Sequence, residues 1–135
     1  MPLLVDTGVL YALADRRDAW HSRVVNFLKA SPRALLAPVT ILPEVAYLLR
    51  ERIGPHAETA FVSSVARGEV VIEDLTLRDW KRIEVLMGTY EFLGLVDASV
   101  VAIAERLKLL KLATTDRRHF QVVRPAHTDH FSLVP

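Results

Sequence analysis

The 135-residue chain contains no cysteine, which excludes disulfides, thiolate nucleophiles and thiolate-held metals together. Any metal must be bound by oxygen or imidazole, and a reducing compartment suits the composition. Charge of one sign is also missing. Seventeen Lys and Arg against sixteen Asp and Glu leave a formal net charge of +1, too little to mark a polyanion partner by composition alone. No apolar run approaches the roughly 20 residues of a bilayer span. The N-terminus lacks the basic segment, apolar core and cleavage site of a secretory signal, so the expectation is a cytoplasmic protein with no membrane partner. Internal repeats, low-complexity runs and linkers are absent as well.

What is present describes an ordinary globular interior: 51% apolar and 24% charged residues. The length fits one domain spanning residues 1–135. LLVDT (3–7), ALLAPV (34–39), EVVIEDL (69–75) and KLATT (111–115) are short apolar runs ending in polar residues, the pattern of parallel strands buried on both faces. A stretch of helical period follows each, which predicts an α/β fold with helices on both sides of a mainly parallel sheet. FQVVRP (120–125) and HFSLVP (130–135) read as edge strands.

The helices have legible ends. Asp18 can cap a helix carrying Trp20, Val24, Phe27 and Leu28, stopped by Ser31-Pro32. Thr40 can cap a second, with Pro43 and Glu44 in its first turn and Val45, Leu48 and Leu49 on one face. Gly54-Pro55 breaks it, and a third runs from about His56 to Arg67 before Gly68. Thr76 begins a fourth with Trp80, Ile83, Leu86 and Met87. Residues 96–110 are apolar almost all round at their start, as in a helix packed deep between other elements.

In an open parallel sheet, ligands bind outside the carboxyl ends of the strands. Asp6 ends the first strand, Asp116 follows KLATT, Glu44 lies in the first turn after ALLAPV, and Asp97 lies in the first turn of the apolar helix. Singly, Glu44 and Asp97 have a structural explanation in the helix dipole, and Asp116 in a turn. Asp6 is harder to dismiss, because a carboxylate beside the buried run Leu3-Leu4-Val5 costs several kcal/mol unless it is paired, hydrogen-bonded or metal-bound. Together, four carboxylates within a few ångströms repel unless some are protonated or a cation neutralises them. Hard oxygen ligands point to Mg²⁺ or Mn²⁺, and such an ion suits phosphodiester hydrolysis. Arg16, Arg17, Arg117 and Arg118 could grip a nucleic-acid backbone at the rim.

Other readings compete. Apolar-apolar-Asp-Thr-Gly is also an aspartic-protease signature, but that fold is nearly all strand. A phosphotransferase with Asp6 as nucleophile commonly carries a second aspartate two positions on, where this chain has Gly8. His127 and His130 form an H-x-x-H pair without an accompanying acid motif. His21, His56 and His119 read as surface or rim residues, and Trp20, Trp80, Tyr47 and Tyr90 as core or dimer contacts.

The ordered set VDTGVLYAL, PVTILPEVAYLL, GLVDASVVAIAERL and LATTDRRHF resembles the PIN-domain ribonucleases, in particular the VapC-type toxins of toxin-antitoxin pairs. The resemblance implies a three-layer α/β/α sandwich, a bound Mg²⁺ or Mn²⁺, cleavage of RNA, a homodimer, and silencing by a cognate antitoxin protein. It implies that Asp6, Asp97 and Asp116 are metal ligands and Glu44 a fourth catalytic acid. Thr7 would support Asp6, and Thr115 would hydrogen-bond into the cluster. A family member without activity, serving only to bind RNA or antitoxin, is the alternative. The intact acid set argues against it.

Overall fold

A computed structural model describes residues 2–135. Its strands are β1 (Leu3–Val5), β2 (Leu35–Pro38), β3 (Val70–Glu73), β4 (Lys111–Ala113) and β5 (Ser132–Val134). They form one sheet in the order β3-β2-β1-β4-β5, and every neighbouring pair is parallel. The helices are α1 (Thr7–Ala14), α2 (His21–Ala30), α3 (Leu42–Arg52), α4 (Pro55–Ala66), α5 (Leu77–Thr89), α6 (Leu95–Leu107) and α7 (Arg117–Val122). Helices around a parallel sheet exclude the all-strand protease architecture.

Strand alternation sorts the core into two layers. Leu4, Leu36 and Leu112 enter one cluster with Ile83 and Leu86 of α5, Val100 and Ile103 of α6, and Phe120 of α7. Leu3, Val5, Leu35, Ala37 and Ala113 enter the other with Val9 of α1, Val24 of α2, and Val45 and Leu49 of α3. Phe61 of α4 packs against this second cluster. The central strands β1 and β2 are buried at every residue, which explains why their sequences read as continuous apolar runs. Ala98 to Ala104 of α6 are all buried, consistent with its apolar start.

The order of winding locates the site. From β1 the chain moves outward to β2 and β3, then crosses back to β4 on the other side of β1 and continues to β5. Winding reverses between β1 and β4, so the crevice lies beyond the carboxyl ends of these two strands.

Some local expectations are corrected. FQVVRP is not a strand: Asp116 caps α7 by accepting from the His119 amide, and helical spacing buries Phe120. Thr40 does not cap α3. It lies in a 3₁₀ turn, Val39–Ile41, and its Oγ1 is 2.6 Å from the Ser99 Oγ on α6. Asp18 forms a turn by accepting from the Trp20 amide at 2.8 Å, and α2 starts later, at His21. The apolar helix ends at Leu107, because Lys108 turns left-handed (φ 56°) and the Leu109 amide bonds the Ala104 carbonyl, which brings Leu109 into the core. HFSLVP does supply an edge strand, β5.

Away from the crevice, one guanidinium joins three elements. Arg106 of α6 holds both Asp79 carboxylate oxygens at 3.0 and 3.1 Å and Glu73 of β3 at 3.1 Å. Asp79 also completes a reciprocal cap with Thr76 at the start of α5. In urea unfolding followed by circular dichroism, Thr76→Ala is expected to cost about 1 kcal/mol. Asp79→Ala should cost about 3 kcal/mol, because it opens the cap and also removes a buried partner of Arg106. Equal losses would show that the Arg106 contact contributes nothing.

Candidate active site

Asp6 follows β1 directly, and its amide donates to the Ala113 carbonyl of β4 at 3.1 Å. Its Oδ1 caps α1 by accepting from the Val9 amide at 3.1 Å, and its Oδ2 accepts from the Thr114 hydroxyl. Thr114 is fully buried, and its Oγ1 also accepts from the Asp116 amide at 2.8 Å. One hydroxyl thus connects the acids after β1 and β4. Glu44 sits in the first turn of α3, Asp97 in the first turn of α6, and Asp116 at the cap of α7. All four acids line one cleft of about 560 Å³, together with Thr7 and Thr115. Four helix N-termini therefore open on the same space, and their dipoles favour negative charge there.

Among the described residues, no Lys or Arg pairs with any of these four acids; the cationic partners go to Glu58, Glu69, Glu73, Asp79 and Glu105. The consequence is visible in proton affinity. Burial, reinforced by the charges of Asp97 and Asp116, pushes the Asp6 carboxyl up to about 6, against the lowering effect of the Thr114 and Val9 hydrogen bonds. Asp97 is also raised, first by burial and then by Asp116, with Glu44 adding and His119 opposing. The tightest donor group is Asp97, Asp116 and His119, each offering one ligand atom within 4.8 Å of the others. His119 Nδ1 is 2.9 Å from Asp116 Oδ2 and 3.8 Å from Asp97 Oδ2. Crowded, unpaired carboxylates with one imidazole fit a divalent cation by donor chemistry and by their need for charge compensation. Asp6 and Glu44 line the same cleft outside this tightest group.

The supporting residues are placed differently from one another. The hydroxyl bonded into the cluster belongs to Thr114, not Thr115. Thr115 lies over the first turn of α1, where a Cβ on Gly8 would stand 2.1 Å from its Oγ1. Glycine there permits the approach. Arg16, Arg17 and Arg118 are exposed, the first two on the loop between α1 and α2. The Arg117 guanidinium donates to the Pro135 carbonyl and stands 5.9 Å from the Trp20 ring. The arginine lining the cleft is Arg52, laid 5.3 Å from the Tyr11 ring, while its near neighbour Arg50 pairs with Glu58. The sequence places His119 only at the surface or rim; the signal for its membership of the acid cluster is its spacing three residues after Asp116, one turn of a helix whose residues 120–122 overlap the stretch expected as a strand.

Asp6 titrates near 6 when folded and near 3.8 unfolded, so between these values the folded chain holds more of the proton. Without metal, stability should therefore fall as pH rises from about 4 to 6, by up to about 3 kcal/mol through this group. Asp6→Asn should remove that part of the slope and be more stable than wild type at pH 8 in urea unfolding. A variant less stable there would show that the carboxylate's hydrogen bonds outweigh its desolvation.

The chain is 27% identical to ribonuclease VapC26 of Mycobacterium tuberculosis over 135 residues, covering 98% of this chain and 100% of that one. Among solved structures, VapC20 of Mycobacterium tuberculosis, a sarcin-ricin loop cleaving toxin, superposes with a TM-score of 0.77 at 20% identity, over 86% of this chain and 91% of that one. A toxin-antitoxin complex from Klebsiella pneumoniae gives 0.71 at 22% identity, over 98% of this chain and 96% of that one. At these identities the structural likenesses show the fold. Residues 3–125 match the PIN domain, and the chain belongs to that family.

Proposed function

We propose that this protein is a metal-dependent endoribonuclease that hydrolyses RNA phosphodiester bonds as the toxin of a type II toxin-antitoxin pair. The observation that carries the reading is the gathering of Asp6, Glu44, Asp97 and Asp116 from separate elements into one cleft with, among the described residues, no Lys or Arg paired to them. Membership of the PIN domain family and the full-length similarity to a VapC ribonuclease support it.

In this reading Asp6, Asp97 and Asp116 hold Mg²⁺ or Mn²⁺, and Glu44 completes the charge or orients the attacking water. When bound, the ion neutralises phosphate charge and makes water nucleophilic at neutral pH. The protein's own groups prepare this chemistry. Val9 and Thr114 fix the Asp6 carboxylate, so its oxygens need no reorganisation when a cation arrives. Glu44 is exposed at the N-terminus of α3, where it is open to solvent water. Arg52, held over Tyr11, brings a cation to a cleft lining whose other charged groups are acids. Arg16, Arg17, Arg117 and Arg118 extend that attraction at longer range. An RNA substrate, a homodimer and an antitoxin partner are carried over from the family resemblance, and the similar toxin-antitoxin complex supports the last.

With Mg²⁺ or Mn²⁺, purified protein should cut single-stranded RNA to products with 5′-phosphate and 3′-hydroxyl ends, and EDTA should stop it. Asp97→Asn should lose activity by about a hundredfold or more, the scale set by removing one group from a preorganised site. Expression of the wild type should arrest growth and co-expression of an adjacent antitoxin gene should relieve it. RNA binding that ignores the metal and never leads to cleavage would establish the inactive binding module.

A further inference from the structure

The His119 ring stands among the carboxylates. Its Nδ1 is shielded from solvent and has no hydrogen-bond partner, although Asp116 Oδ2 is only 2.9 Å away: the oxygen lies off the line that a ring N–H would take. The ring is held in this pose. Phe92 stacks on it with centroids 5.2 Å apart and planes at 23°, and Tyr90 packs on Phe92 at 5.7 Å. The Tyr90 hydroxyl in turn accepts from the Arg124 amide at 3.0 Å, so the stack is anchored to the backbone beyond α7.

A buried polar atom left unpaired is costly and calls for an explanation. Donors on adjacent corners of a six-coordinate ion with bonds of about 2.1 Å lie about 3 Å apart, and donors on opposite corners about 4 Å apart. The separations of Nδ1 from the two carboxylate oxygens, 2.9 and 3.8 Å, lie near these two values. We infer that His119 Nδ1 is a nitrogen ligand of the metal centre, with the ring proton on Nε2, and that it tilts the centre toward Mn²⁺ over Mg²⁺. The inference rests on the metal-centre reading above and deepens it. Magnesium prefers an all-oxygen shell and holds its water, whereas imidazole suits transition ions.

The test loads the full-length protein with Mn²⁺ alone and records pulsed electron paramagnetic resonance, where a directly bound imidazole imposes nitrogen modulation on the spin echo. Wild type should show that modulation, with a ¹⁵N pattern when only histidine is ¹⁵N-labelled, and His119→Gln should lose it. By calorimetry His119→Gln should lose about tenfold in Mn²⁺ affinity and about twofold or less in Mg²⁺ affinity. Mn²⁺ bound by wild type without nitrogen modulation overturns the inference and leaves the metal centre standing, with His119 then only a neighbour of Asp116. Absence of Mn²⁺ binding to wild type overturns both. The wild-type spectrum decides the matter even if the variant fails to fold.

Discussion

The buried contact between the Thr114 hydroxyl and the Asp6 carboxylate holds together what the winding of the sheet brings near. At the point where the chain reverses its winding, β1 and β4 run side by side and end in acids that repel each other. Donating to one acid and accepting from the backbone of the other, Thr114 opposes that repulsion with two hydrogen bonds and keeps both strand ends in register. Its complete burial raises the worth of those bonds and the cost of losing either. Everything built on this edge inherits its position from that link.

The charge economy of the molecule divides along α6. At its C-terminal end Glu105 and Arg106 are engaged with Arg82, Asp79 and Glu73, so acids are matched by guanidinium groups. At its N-terminal end Asp97 faces Asp116 and Glu44 with, among the described residues, only an imidazole beside it. The matched end contributes to folding. The unmatched end opposes it, and this asymmetry is the physical mark of a site kept for a ligand.

Much of this was legible in the sequence because buried parallel strands and helix caps leave local signatures. Leu3-Leu4-Val5 and Leu35-Leu36-Ala37 read as strands since both faces are covered, and the helix beginning at Thr76 is legible from the spacing of Trp80, Ile83, Leu86 and Met87. The four acids could be placed on one edge from topology alone. What failed was decided by distant contacts. Thr40 turns away from its helix to meet Ser99, 59 residues on. The segment after Asp116 is helical because Phe120 finds a pocket in the core, a fact that no local period records in six residues. The choice between Thr114 and Thr115 depended on which side of a short strand end faces β1.

Gly8 shows how a site can be shaped by an atom that is not there. Because the first turn of α1 carries no side chain at that place, the loop after β4 settles directly on the helix, with the Thr115 hydroxyl in the vacated space. The spacing between the two walls that bear Asp6 and Asp116 is thereby set by one short β-branched side chain lying on bare backbone. A side chain so restricted at χ1 has few positions to sample, so the gap varies less from molecule to molecule than it would between two long facing side chains.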